Sequence, residues 1–469
     1  MREVPRTTPW GPPARIVLAL CASLGTDVAI AAPPTLQSVA VIPAASSISV
    51  GDSQLFKATG TFSNGSTRVL GPAIYEISLG LEATCALLVS GGVKCWGSNS
   101  SGQLGDGSYV DLLRPRRVKG IAQATALAFQ GGRGCVVRTN GTVRCWGLNA
   151  NGPDELGPVT VTGINSATAV AVGVHHSCTL LANGAVQCWG GNYYGTLGDG
   201  TNADSSVPVS VEGISTAIGL ASLQDHTCAR LASGAVQCWG SNEFGQLGNG
   251  TTADSNKPVT VFGIDTATAI AAGAFFNCAL LSDGSVRCWG HGGIGELGDG
   301  RRAPHEYSST PVQVALIGTA VEISAGAFHA CAVMSSGDAR CWGFNEEGEL
   351  GNSAVRVRYS NTPVQVRGVD SPARLAAGGY HTCALLANGA MQCWGSNQYG
   401  QLGNGRKTVS PTRLPVNVVG TPGVVWDSSD PTKATIRDSG RAIGRSIGNT
   451  TITATTAGFI NDNAVLTVK

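Results

Sequence analysis

The chain has 469 residues, of which 31 are basic and 30 acidic. That balance gives no electrostatic pull toward a phosphate backbone, which argues against nucleic acid as a partner. With 13% charged residues and 65 glycines, the composition suits a turn-rich all-β protein better than a disordered one.

Residues 1–32 read as a signal peptide or leader. Arg2, Arg6 and Arg15 precede an apolar run from Ile16 to Leu24, and Ala29-Ile30-Ala31 offers a small-residue cleavage site. Asp27 interrupts the segment, and the run is too short to span a bilayer. Leu18-Ala19-Leu20-Cys21 resembles a bacterial lipoprotein box, although Leu20 stands where a small residue is expected. Lipid attachment at Cys21 is therefore a second expectation, beside cleavage near Ala32 and an unprocessed leader. No other stretch reads as a transmembrane segment. Residues 33–72 follow as short alternating strands, including Leu36-Gln-Ser-Val-Ala-Val-Ile-Pro and Gly51-Asp-Ser-Gln-Leu-Phe-Lys-Ala-Thr-Gly.

From residue 73 to 422 the chain repeats. Seven times it writes Cys, nine residues, then Cys-Trp-Gly: Cys85/Cys95, Cys135/Cys145, Cys178/Cys188, Cys228/Cys238, Cys278/Cys288, Cys331/Cys341 and Cys383/Cys393. The first members are 50, 43, 50, 50, 53 and 52 residues apart, a period that marks a closed propeller or an array. A glycine stands six residues after each first cysteine: Gly91, Gly141, Gly184, Gly234, Gly284, Gly337 and Gly389. A three-residue loop ending in a left-handed glycine closes a common hairpin, and it places Cys383 opposite Cys393. Opposed positions lie about 4.5–5.5 Å apart at Cα, within disulfide reach. Zinc wants four ligands, usually in two close pairs, and fits this spacing poorly. Reduced thiols are the other reading, but a pair in every unit points to an oxidising compartment. The basic cluster Arg114-Pro115-Arg116-Arg117 reads as a solvated loop.

Residues 423–469 return to short strands, at Val424–Pro431, Ala434–Ile436, Thr450–Ala454 and Ala464–Val468. Neither terminal half has enough strands for a stable sandwich by itself. Joined, they resemble one group 2 bacterial immunoglobulin-like domain, with the repeats inserted between Leu70 and Val424. Two unrelated tails are the plainer reading.

The extended unit, Ala376-Ala-Gly-Gly-Tyr-His-Thr-Cys-Ala-Leu-Leu-Ala-Asn-Gly-Ala-Met-Gln-Cys-Trp-Gly-Ser-Asn-Gln-Tyr-Gly-Gln-Leu-Gly403, resembles the regulator of chromosome condensation repeat. The resemblance covers about residues 73–420 and implies a seven-bladed β-propeller. The expected fold class is thus all-β, a seven-bladed β-propeller inserted into an immunoglobulin-like β-sandwich. Two features depart from the family pattern: the paired cysteines, and a clipped second unit between Asn149 and Gly157. The Trp of each Cys-Trp-Gly reads as packing between blades. His176, His226, His329 and His381, two residues before a first cysteine, read as structural hydrogen-bonding groups.

No enzyme is expected, and no cofactor or metal. The one Gly-x-Ser-x-Gly match, Gly444-Arg-Ser446-Ile-Gly448, precedes a strand, whereas a nucleophile elbow leads into a helix. Asp199-Gly-Thr-Asn-Ala-Asp204 lacks the glycine and terminal glutamate of a calcium loop and reads as turn chemistry. The position three before each first cysteine varies through Glu82, Gly132, His175, Asp225, Phe275, Phe328 and Tyr380. In related propellers this loop opens on one face of the disc. Phe275, Phe328 and Tyr380, with His175 and Asp225, are therefore the candidate partner-binding residues. Tyr193, Tyr194, Phe244 and Tyr399 form a second aromatic set.

The leading expectation is a secreted or surface-displayed bacterial module that binds an extracellular protein or glycan, with inhibition of a β-lactamase as one variant among similar propellers. Nucleotide exchange on a small GTPase and a purely architectural surface role are the alternatives. The plant ultraviolet-B propeller uses a Gly-Trp-Arg-His-Thr element, and Gly378-Gly-Tyr-His-Thr382 lacks its tryptophan.

Overall fold

The loop inside each cysteine pair sets the register of the strands around it. In the third repeat Gly184 has φ +83°, its N–H donates to the Leu181 carbonyl, and the Leu181 N–H donates to Ala185. Cys178 consequently stands opposite Cys188, and Leu180 opposite Val186. A Cβ on Gly184 would lie 2.6 Å from the Ser215 carbonyl oxygen, so only glycine fits the turn. All seven expected pairs are bridged: Cys85–Cys95, Cys135–Cys145, Cys178–Cys188, Cys228–Cys238, Cys278–Cys288, Cys331–Cys341 and Cys383–Cys393. Their Cα atoms lie 4.0–4.1 Å apart, closer than the expected 4.5–5.5 Å of an unbridged ladder (about). The bridge draws the two strands together.

The computed structural model describes residues 36–469 except 51–52, 56, 63–66, 70–73, 89–90, 149–154, 302–305, 355–356, 370–371, 387–390, 419–423, 437–440 and 457–460. The leader, Cys21, Leu70 and Gly389 lie outside the described residues.

Seven four-stranded antiparallel sheets follow one another, over residues 74–117, 124–160, 167–210, 217–260, 267–313, 320–365 and 372–417. They are numbered here as blades one to seven. Blade four shows the plan: Ala217–Leu223, His226–Leu231, Val236–Gly240 and Ser255–Thr260 pair in sequence order. The middle strands are almost wholly buried, while the fourth alternates with solvent. First strands of neighbouring blades pack on one another, and small residues such as Ala169, Ala171, Ala269 and Ala271 allow the approach. Arg114–Arg117 departs from its sequence reading. It belongs to the outer strand Leu112–Arg117 of blade one, whose side chains are half-buried or exposed, so a basic run is tolerated in a strand.

The blades close into a ring through side chains. Trp146 donates its indole N–H to the Gln103 carbonyl of the preceding blade (2.9 Å), and Trp239, Trp289, Trp342 and Trp394 do likewise to Thr196, Gln246, Glu296 and Glu349. Trp96 of blade one donates to Gln401 of blade seven (2.9 Å), which closes the circle. These six indoles are at most 1% exposed. Trp189 is 8% exposed; it faces the clipped second unit, whose residues 149–154 lie outside the described set.

The terminal segments form a separate compact unit. Ala45–Ile48 pairs in parallel with Asn461–Val468, and Ser53–Leu55 pairs antiparallel with Arg441–Gly444. A third sheet is local, Leu36–Ile42 with Lys57–Phe62 and Thr67–Val69. Val41 and Ala58 from one end share a core with Ala434, Ile452, Ala464 and Leu466 from the other. Neither end completes that core alone.

Candidate functional site

The turn between the first and second strands of each blade carries the variable position, and a second segment is tied to it. The N–H of the residue after Cys-Trp-Gly donates to the carbonyl of that variable residue: Ser98 to Glu82, Leu148 to Gly132, Gly191 to His175, Ser241 to Asp225, His291 to Phe275, Phe344 to Phe328 and Ser396 to Tyr380. Seven equivalent pairs therefore sit at one end of the strands, and their side chains differ around the ring.

On blades three and four the face is polar. His175 Nδ1 lies 3.0 Å from Asp225 Oδ1, and that hydrogen bond raises the imidazole above its ordinary pKa. On blades five to seven it is aromatic. Phe275 meets Phe244 edge-on (5.1 Å) and lies 6.5 Å from His291. Phe328 contacts Phe344 at 6.1 Å and Tyr380 at 6.5 Å. Phe275, Phe328 and Tyr380 are all half-buried, and the two phenylalanines rest on the core that includes Ala274 and Ala327. These rings are thus part scaffold and part surface. From the second set, Tyr193 is 80% exposed and edge-on to Tyr194, and Lys407 lies 6.0 Å over Tyr399.

One residue nearer the cysteine, the side chains turn inward and join blades. His176 Nε2 meets Thr227 Oγ1 (2.7 Å), His226 meets Asn277 (3.1 Å), His329 meets Thr382 (2.8 Å) and His381 meets Thr84 (2.7 Å). Thr84 and Thr382 donate their own protons to the Gln401 and Glu349 carbonyls, so the imidazole must donate through Nε2–H. Among the described residues, Nδ1 of His176, His226 and His329 has no hydrogen-bond partner. Burial pushes His176, His329 and His381 down to about 3 and His226 to about 4, which keeps them neutral. Arg133 replaces histidine in blade two and reaches Ser177 of the next blade. These groups are joints between blades and are unavailable as acid–base or metal-binding groups.

The cysteines likewise belong to the scaffold and not to the face. Cys95, Cys145, Cys188, Cys238, Cys288, Cys341 and Cys393 each precede a buried-core tryptophan, are themselves buried, and hold no free thiol. Among the described residues, no cluster of three or more His, Cys, Asp or Glu is placed to hold a metal ion.

Carboxyls gather near Tyr380. Glu82, Glu347 and Glu349 all act on its hydroxyl, which burial, and then these charges, hold above its ordinary pKa. Glu349 is fully buried. Its Oε2 accepts the Glu347 N–H (3.1 Å), Oε1 has no partner among the described residues, and burial pushes the carboxyl up to about 8. The sequence reading missed this carboxyl. Its signal was available: Gln103, Gln246 and Gln401 occupy the equivalent place in three other units, where blades five and six carry Glu296 and Glu349.

Ser446 lies in the turn before Gly448–Thr456 and donates to the Thr432 carbonyl (2.7 Å). Asp199 caps its own turn through the Thr201 N–H and hydroxyl.

Comparison with known proteins agrees with this geometry. Residues 154–443, more than half of the chain, match the model of the RCC1-like domain, and residues 74–103 match the regulator of chromosome condensation (RCC1) repeat. The chain belongs to the RCC1-like domain family. Human WBSCR16 superimposes with a TM-score of 0.63 at 21% identity, covering 71% of this chain and 94% of that one. Yeast RCC1 (Prp20), solved bound to Kap60, gives 0.62 at 20% identity over 76% and 87%. Both show the propeller fold. Among curated relatives, the probable E3 ubiquitin-protein ligase HERC4 of Rattus norvegicus is 32% identical over 85 residues, 18% of this chain and 8% of that protein. E3 ubiquitin-protein ligase MYCBP2 of Danio rerio is 38% identical over 84 residues, 18% and 2%. The chain spans less than a tenth of the length of these relatives.

Proposed function

We propose that this chain is a binding protein of an oxidising compartment, secreted or on a bacterial cell surface, that recognises an extracellular protein or glycan with one propeller face. The carrying observation is that His175, Asp225, Phe275, Phe328 and Tyr380 occupy one structural position on five consecutive blades while their chemistry changes from polar to aromatic. A rigid ring presenting varied side chains at a fixed position suits recognition. Seven buried bridges support the oxidising compartment. In this reading the terminal segments form a group 2 bacterial immunoglobulin-like domain, interrupted by the propeller, that presents the face.

The test is capture of partners from extracellular material by the parent and by the Phe275→Ala/Tyr380→Ala variant. We expect the variant to lose at least about tenfold in affinity, since central aromatic anchors dominate interfaces. A loss of no more than a few-fold, with the variant folded, counts against this face.

Family membership favours a second reading, an exchange-factor-like regulator of a small GTPase. Prp20p of Saccharomyces cerevisiae, whose crystal structure matches at a TM-score of 0.61, has binding properties toward Gsp1p and histones. Accelerated nucleotide release from a purified small GTPase by the disulfide-bonded protein would favour that reading.

A further inference from the structure

We propose that Tyr380, Phe328, Phe344, Glu82, Glu347 and Glu349 form a recognition pocket for the guanidinium of an arginine on a protein partner. The proposal rests on this being the binding face and deepens that reading.

Geometry and charge carry it. The rings of Phe344, Phe328 and Tyr380 form a continuous half-buried series. Three carboxylates act on the Tyr380 hydroxyl, Glu82 of blade one with Glu349 and Glu347 of blade six, and Glu349 is buried. Neither Glu82 nor Glu347 forms an ion pair among the described residues, although the Arg413 charge acts on Glu347 and Glu349 from beyond ion-pair distance. Arg413 directs its guanidinium to the carbonyls of Asn345, Ala354 and Glu346, and Lys407 is held by Asp111 at 2.9 Å.

The buried group is the independent sign. Gln103 and Gln246 each use the side-chain oxygen for a backbone N–H and turn the amide toward Ser98 and Ser241. Glu349 keeps the first bond, but Phe344 stands where those serines stand, so Oε1 is unpaired. Blade five also carries glutamate, yet His291 meets Glu296 at 2.6 Å and completes it. Blade six lacks that completion. Burial raises the pKa of all three carboxyls, and the Arg413 charge offsets only part of that rise at Glu347 and Glu349. A guanidinium fits better than an ammonium because it is planar, stacks on aromatic faces and offers parallel donors to two oxygens.

The test is calorimetric titration of the whole protein with a capped pentapeptide holding one central arginine, and with its citrulline counterpart of nearly equal shape and no charge. Glu349→Gln installs the residue that other blades carry, so the fold is retained; Tyr380→Ala removes the ring. We expect the arginine peptide to bind at least about tenfold tighter than the citrulline peptide, and both variants to remove most of that preference. Equal binding of the two peptides, or a preference unchanged in Glu349→Gln, overturns the pocket. Loss of partner capture in Phe275→Ala/Tyr380→Ala would still stand for the face itself.

Discussion

His226 shows how a single side chain holds two blades. Its Nε2–H reaches Asn277 of the next blade, and the Asn277 amide passes on to the Gln246 carbonyl that also receives the Trp289 indole. Removing the imidazole leaves a fully buried amide oxygen without its donor, a loss of about 1–3 kcal/mol. We therefore expect His226→Ala to lower urea-unfolding stability by that amount or more. His226→Ala with Asn277→Ala should cost clearly less than the sum of the single changes, and additive costs would separate the two residues. The histidines were legible as structural in the sequence, but their partners were not. The partner lies about fifty residues away, and only the closed ring makes it a neighbour. A cue was nonetheless present. Where the second residue before a cysteine is histidine, the next unit carries Thr or Asn just before its own cysteine; where it is Phe276 or Ala83, the next unit carries Ala330 or Gly134.

At the scale of the element, the hairpin is the unit that the sequence specifies most completely. Glycine spacing, cysteine spacing and the alternation of apolar residues all demand one register, and the strands adopt it. The bridge Cys178–Cys188 closes a loop of eleven residues, and chain entropy assigns such a closure about 2–3 kcal/mol. Replacing both cysteines by alanine should reduce stability by up to that amount while leaving the β-sheet circular dichroism unchanged. A loss of the sheet signal would mean that the bridge organises the blade rather than reinforcing it. The terminal strands were harder to read. Their pairing is set by partners at the far end of the chain, as where Ala45 aligns with Val465, and no local pattern records such a distance.

Across the molecule, the buried titratable groups pull stability in opposite directions. The four joint histidines have folded pKa values of about 3 to 4, below the ordinary 6.5. Between those values the unfolded chain binds more protons, so stability falls as pH drops below about 6.5. Glu349, at about 8 against 4.5, acts the other way: the folded chain holds the extra proton, and stability falls as pH rises from about 4.5 to 8. Glu349→Gln should therefore stabilise the protein more at about pH 8.5 than at about pH 5. Urea unfolding at the two values measures the difference, and a pH-independent effect would refute the assignment.

The joints between blades also give each repeat an address. Five are polar: Arg133 with Ser177, His176 with Thr227, His226 with Asn277, His329 with Thr382 and His381 with Thr84. Between blades five and six the joint is apolar instead, with Phe276 and Ala330 in one cluster. Exchanging blades five and seven would preserve every strand, turn and bridge. It would nonetheless set Phe276 against the Thr84 hydroxyl, and His381 against Ala330, which offers its imidazole no acceptor side chain. Units that are equivalent in fold are thus not interchangeable in place, and recombination between repeats of this gene would be filtered at the seams rather than within the blades.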